Sequence, residues 1–151
     1  MMPIADSRAD AAGRGLELAR VLLVESDVAS RLTLQTLLQA GGYSVDVAAS
    51  AAEAVGKLDE STYELVLTDS QMESDAGRSV LAYARRKEYK PATALIHKHR
   101  EGSARNDLRK TNPRMTVEAE DVTTFLSKVA ELISLRATRR TERALRSSVN
   151  N

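Results

Sequence analysis

The chain has 151 residues, a net charge of +1, 42% hydrophobic residues and no cysteine. This length suffices for one ordinary hydrophobic core and is too short to expect two. The lack of cysteine excludes disulfides and thiolate zinc sites. The sequence has no apolar run long enough to span a bilayer, and its first residues lack the basic region followed by an apolar stretch that predicts a signal peptide. We therefore expect a cytoplasmic protein with no membrane partner.

The first predicted strand-helix unit follows a polar beginning. Residues 1–19 have no apolar periodicity and predict a flexible N-terminal tail. Residues 20–24 form an apolar run typical of a buried strand, which stops at Glu25. Asp27 then suits the N-cap of a helix whose leucines recur at helical spacing until Gly41 and Gly42.

Two more units follow. Residues 43–48 alternate apolar and polar side chains and predict a half-exposed strand near a sheet edge. Ser50 and Glu53 have the spacing of a capping box, which predicts the start of a second helix. The run from Leu65 is then apolar on both faces, as in a buried parallel strand, and ends at Asp69.

The second half repeats the pattern. We predict that Gly77 ends the turn after Asp69 and that a third helix runs on to the basic residues 85–87. Residues 92–96 predict a fourth strand, and the polar residues from His97 onward predict an exposed loop. Residues 102–111 predict a short helix, residues 114–117 a fifth strand, and Asp121 the start of a long fifth helix.

Five alternations of strand and helix are typical of an α/β protein, in which a parallel sheet is covered by helices on both faces. We expect one domain over residues 20–135. Residues 136–151 carry five arginines against Glu142 alone. Either they extend the last helix as a basic helix or tail, or they are an arm for nucleic acid or an acidic membrane. The helix extension is favoured, because no other feature of the sequence indicates an element that contacts bases in a groove of nucleic acid.

Asp69 is the main functional candidate. Open α/β sheets bind ligands at the carboxyl edge of their strands, and Asp69 ends a buried strand. A carboxylate at that edge could bind a metal or a small molecule. Aspartate also opens loops as a good turn former, so both interpretations stay open at this point.

Four residues give the chain its resemblance to a known family: Glu25 ending the first strand, Asp69 ending the third, Met72 three residues later and Gly77 eight residues later. With the five strand-helix units, residues 20–135 resemble a bacterial response-regulator receiver domain. The resemblance implies a flavodoxin-like sheet with strand order 2-1-3-4-5 and phosphorylation at Asp69. It also implies a magnesium ion held by Glu25, Asp69 and the backbone carbonyl of Gln71.

The chain departs from the family pattern at four further positions. Ser26 stands where the family has a second acidic residue, and Ile96 where it has a threonine or serine. Glu118 stands at the lysine position and Met115 at the aromatic switch position. Two like charges about 4 Å apart repel by roughly 4 kcal/mol at an effective dielectric near 20, so Glu118 would oppose a phosphate. Lys98 is a candidate surrogate for the missing lysine.

We therefore predict a stand-alone receiver domain of a phosphorelay, with a degenerate pocket that binds Mg²⁺ weakly and is weakly phosphorylated or not phosphorylated. It is not expected to be an enzyme. Its expected partners are a histidine kinase or phosphotransfer protein, a downstream protein bound through the fourth helix, fifth strand and fifth helix, or a second copy in a homodimer. The alternative is a pseudo-receiver, an interaction module independent of phosphorylation. A basic-tailed nucleic-acid accessory protein ranks third.

Overall fold

The structure is a computed structural model that describes residues 18–97, 116–118 and 122–149. The strands are β1 (Arg20–Val24), β2 (Ser44–Ala48), β3 (Leu65–Asp69), β4 (Ala92–His97) and β5 (Thr116–Glu118). The helices are α1 (Val28–Ala40), α2 (Ala51–Glu60), α3 (Ala76–Arg85) and α4 (Val122–Val149), with a short 3-10 turn at Glu73–Asp75. Helix α4 corresponds to the fifth predicted helix. The fourth, at 102–111, lies outside the described residues.

All neighbouring strands pair in parallel, in the order β2-β1-β3-β4-β5. This confirms the predicted fold class and strand order. Strand β2 lies at one edge and is only partly buried, as its alternating sequence predicts. Strand β3 is central and buried at all five positions. No helix in the described segments is long and apolar enough to cross a membrane.

Helices cover both faces of the sheet and form two apolar clusters. On one face, Leu34 and Leu38 of α1 and Phe125 of α4 pack against Leu23 and Leu67 of the central strands. On the other, α2 and α3 contribute their buried aliphatic side chains, including Ala54, Leu58, Val80 and Leu81. Each helix buries one stripe and leaves the opposite stripe to solvent.

The predicted caps of the first two helices are confirmed, with one correction to the capping box at Ser50. Asp27 accepts a hydrogen bond from the backbone N–H of Ser30 at 2.9 Å, and Ser50 Oγ accepts one from that of Glu53 at 3.2 Å. The return bond of the capping box differs from the prediction. The Glu53 carboxylate accepts from Ala49 N at 2.7 Å, one residue before the cap. The carboxylate therefore stabilises the strand exit as well as the helix.

Two loop predictions were wrong. The turn after β3 does not end at Gly77, because Ser74 and Asp75 take left-handed φ values of 55° and 56° and α3 begins at Ala76. Gly77 lies in the first turn of α3, where a Cβ would stand 2.6 Å from the carbonyl oxygen of Asp69. Strand β4 also continues through His97, which was expected in an exposed loop.

Helix α4 runs 28 residues to Val149 and so includes most of the arginine-rich segment. Several predictions lie outside the described residues: most of the tail at 1–19, the loop from Lys98 onward and Met115.

Candidate functional site

The carboxyl ends of β1, β3 and β4 meet at one edge of the sheet. Val24 is in register with Thr68, so Glu25 and Asp69 follow side by side, and Asp69 is in register with Ile96. Neighbouring strands lie about 4.8 Å apart. The structure thus brings together three positions that the sequence placed at the ends of separate strands.

Glu25 is fully buried, and several hydrogen bonds fix its position. Its backbone N–H donates to Ala48 O at 3.0 Å, and its Oε2 accepts from Asp27 N at 3.1 Å. Arg31 donates from Nη1 to the carbonyl oxygen of Glu25 at 3.0 Å, which holds a guanidinium at the same edge. Ser26, the next residue, is exposed.

Asp69 is only 4% exposed. Its Oδ1 accepts a hydrogen bond from Gln71 N at 3.2 Å, which turns the chain tightly after the strand. The preceding Thr68 donates from Oγ1 to Gly77 O at 3.3 Å and ties α3 to the end of β3. The Asp69 carboxylate is therefore nearly enclosed by the described residues around it.

Ile96 is completely buried and belongs to the apolar cluster under α1 and α4. A hydrocarbon side chain donates no hydrogen bond. The side chain at the strand position beside Asp69 is thus part of the hydrophobic core and offers no polar group to a ligand.

His97 and Ser70 form a polar pair that the sequence reasoning missed. They follow Ile96 and Asp69 in register and so face the opposite side of the sheet. His97 is 8% exposed, and its Nδ1 lies 3.2 Å from Ser70 Oγ, with the donor set by the ring tautomer. No residue in the described part of the chain hydrogen-bonds its Nε2. Extending the predicted strand β4 by one residue would have placed His97 within the sheet.

The remaining predicted site positions are described only in part. Glu118 ends β5, and its backbone is in register with His97. Met115 and Lys98 lie outside the described residues, so their roles stay predictions.

The oxygen ligands for a magnesium ion are few. The described residues contain no group of three or more acidic, histidine or cysteine side chains that could hold a metal. Glu25 and Asp69 are the two adjacent carboxylates, while Asp27 caps α1 through its Oδ2. Magnesium keeps several waters and binds proteins through one or two carboxylates, so the carboxylates at these two strand ends are the ligand type that it prefers.

The strand order and the acidic carboxyl edge define a flavodoxin-like, doubly wound class of protein that binds ligands beside β1 and β3. The family model of the response regulator receiver domain matches residues 21–136. The chain belongs to that family.

Individual relatives agree with this assignment. A gliding motility regulatory protein of Myxococcus xanthus is 43% identical over 77 residues, which are 51% of this chain and 10% of that protein. The chain thus spans about a tenth of that curated relative.

Solved structures show the same fold at low identity. The chemotaxis response regulator CheY4 of Vibrio cholerae has a TM-score of 0.61 and 22% identity, over 77% of this chain and 99% of that one. A response regulator receiver protein from Sinorhizobium medicae has a TM-score of 0.64 and 21% identity, over 80% and 98% of the two chains. NtrX from Brucella abortus has a TM-score of 0.72 and 17% identity, over 89% and 30%.

Proposed function

We propose that this receiver domain acts in phosphorelay signalling with Asp69 at the phosphoacceptor position and with a degenerate pocket that is weakly phosphorylated or not phosphorylated. The observation that carries the proposal is the complete burial of Ile96 beside Asp69. It is a binding and signalling module rather than an enzyme, and it works in the cytoplasm.

Phosphorylation would require attack by an Asp69 carboxylate oxygen on the phosphorus of a donor. A new oxygen–phosphorus bond forms while the bond to the leaving group breaks and the leaving group takes its electron pair. Charge on the equatorial oxygens must be stabilised by cations and hydrogen-bond donors. The described part of the pocket offers few of either.

Each described departure weakens that stabilisation. Ile96 supplies hydrocarbon at the position where the family uses a hydroxyl, and Ser26 is exposed where the family uses a second carboxylate. The 4% exposure of Asp69 further restricts a donor. Glu118 in place of lysine and Met115 in place of an aromatic residue would remove the groups that sense a phosphate. Lys98 stays the candidate surrogate cation.

A magnesium ion would be held weakly by Glu25, Asp69 and the backbone carbonyl of Gln71. When bound, such an ion neutralises charge on phosphoryl oxygens. The contribution of this chain is to hold the Glu25 carboxylate in place through Asp27 N, at 3.1 Å. A weakly bound ion is consistent with two carboxylates rather than three.

The second candidate function is a pseudo-receiver that binds a partner without phosphorylation. The burial of Asp69 and the apolar side chain of Ile96 favour this function. Core packing around these two residues can hold the domain in one conformation without a bound phosphate. The partner would be a histidine kinase, a phosphotransfer protein or a downstream protein. It would dock on the fourth predicted helix, β5 and the start of α4, and the same surface could join two copies in a homodimer.

The test is intact-protein mass spectrometry after incubation with acetyl phosphate and Mg²⁺. Wild type is compared with Asp69→Asn, and a conventional receiver domain is labelled in parallel. We expect little or no adduct on the wild type. An adduct as abundant as on the conventional receiver, and absent from Asp69→Asn, would refute the degenerate pocket and establish a working phosphoacceptor.

A gain-of-function variant tests the reason for the weak activity. Ser26→Asp with Glu118→Lys should strengthen Mg²⁺ binding and raise the adduct yield. Adding Ile96→Thr should raise it further, at a stability cost of about 1–3 kcal/mol for a polar group in the core. The matched control is Ile96→Val, which changes size without adding a donor. No gain from the pair would mean that Glu118 is not at the lysine position.

A further inference from the structure

A basic groove lies at the amino end of β4, on the opposite edge of the sheet from Asp69. Its walls are the end of α3, the start of β4 and one side of α4, and its volume is about 780 Å³. A smaller cavity of about 250 Å³ continues it along α4, sharing Lys90, Arg140 and Arg143. The arginine-rich segment, which was predicted to be a basic helix extension or tail, therefore forms one wall of a groove whose other wall is the folded domain.

The charge of this basic groove is strongly one-sided. Seven of the thirteen described lining residues are arginine or lysine, and Glu131 is the one acidic residue among them. Glu131 Oε1 lies 3.3 Å from Lys128 Nζ, so the pair largely cancels itself. Within the described residues no carboxylate lies within ion-pair distance of Arg139, Arg140 or Arg143. Glu88 lines the smaller cavity beside Lys90, Arg140 and Arg143, so the cations there outnumber the acid by three to one.

The groove is preorganised by hydrogen bonds to neutral acceptors. Arg136 donates from Nε to Lys90 O at 2.9 Å and from Nη2 to Tyr89 O at 2.7 Å, which holds α4 against the loop before β4. Arg85 donates from Nε to Thr93 Oγ1 at 3.2 Å. Burial and the nearby Arg140 lower the pKa of Arg136. These hydrogen bonds fix α4 against the loop before β4, and the positive charges of the groove repel one another.

We propose that this basic groove binds the phosphodiester backbone of duplex nucleic acid, independently of base sequence. Arg139, Arg140 and Arg143 line the groove from one side of α4, next to Arg136, and form a row of cations along its wall. A row of this kind suits the closely spaced negative charges of a duplex backbone. The guanidinium fork binds phosphate oxygens in a bidentate manner. Contacts to phosphates fix position without reading bases.

An acidic protein surface fits the groove less well. Protein interfaces are enriched in Arg as well, but they have an apolar centre rich in aromatic side chains and Met and are depleted in Lys. Leu135, 45% exposed, is the large apolar side chain exposed in the groove among its described residues. The wall is otherwise dominated by cations. Duplex phosphates match this composition better than a peptide that must also bury apolar groups.

The experiment measures fluorescence anisotropy of a labelled mixed-sequence DNA duplex of about 24 base pairs, titrated with the whole chain between roughly 50 and 200 mM salt. The groove variant is Arg139→Gln, Arg140→Gln and Arg143→Gln together. Arg136 is left intact because it anchors α4. The matched control is Lys57→Gln, Arg78→Gln and Arg86→Gln, which removes the same charge from residues outside the groove. Circular dichroism checks that all three proteins fold.

We expect wild type and control to bind alike, and the groove variant to bind at least about tenfold more weakly, with a salt slope about 2.7 shallower for three lost contacts. Equal losses in both variants would overturn the proposal, since binding would then follow net charge. Failure of wild type to bind duplex at the lowest salt would overturn it as well. Binding of a poly-glutamate peptide in place of the duplex would assign the groove to an acidic protein.

Discussion

The substitution Gly77→Ala tests whether close packing at the end of β3 shapes the site. A Cβ at this position would stand 2.6 Å from the Asp69 carbonyl oxygen and 2.9 Å from Thr68 Oγ1. The distance to the Asp69 oxygen is about 0.8 Å shorter than an ordinary van der Waals contact. This oxygen belongs to the backbone and cannot rotate away as a side chain can. Helix α3 must shift, at a cost of about 1–3 kcal/mol. Alanine's better helix propensity returns up to about 1 kcal/mol.

The difference between these two effects is a net loss centred at about 1 kcal/mol, seen as a drop of roughly 0.5 M in the urea midpoint with an unchanged slope. The control is Gly56→Ala, also within a helix, where a Cβ meets nothing within 4 Å. That variant should gain about 0.5–1 kcal/mol. If Gly77→Ala unfolds at the same urea concentration as wild type or higher, the packing argument is wrong.

Three further predictions concern single hydrogen bonds. Asp27→Ala should lose about 1 kcal/mol in urea unfolding through the lost cap of α1, while Asp27→Asn stays near wild type; equal losses would argue against the cap. The hydrogen bond from Lys87 lowers the pKa of the Asp59 carboxyl, so its contribution is present above the ordinary value of about 3.9 and is lost as pH falls through the lower folded value. The stability gap between wild type and Asp59→Asn should therefore close below about pH 4, and a gap constant down to pH 2 would contradict this. Burial, with the hydrogen bond to Asp46, raises the pKa of Tyr63, so its contribution is full below about pH 10 and declines as pH rises further. Tyr63→Phe should lose about 1 kcal/mol near neutral pH, and a gap that widened in alkali would be inconsistent with the raised pKa.

Much of the fold was predictable, because it depends on local patterns. Buried strands such as β3 read as continuous apolar runs, and α1 begins at an aspartate that caps it. The order of five strand-helix units with short connections leaves few topologies for a parallel sheet. The resemblance added the strand order, which periodicity by itself does not specify.

The site was predictable in part for the same reason. Asp69 and Glu25 lie at strand ends, and strand ends are visible in sequence. Their adjacency across β1 and β3 follows once the sheet order is known. The burial of His97 could be predicted only by extending β4 one residue further, and its contact with Ser70 could not be predicted, because it depends on which side chains meet across strands.

The sequence by itself determined the two-residue and helical periodicities, the caps and the residue types at each strand end. Only the tertiary structure decided that Gly77 must lack a side chain and that Ile96 belongs to the core. It also decided that arginines of α4 share one groove with Arg85 and Lys90, residues about 50 positions earlier in the chain. These features depend on distances between segments remote in sequence. Such distances are set by the packing of all elements together, and no local pattern encodes them.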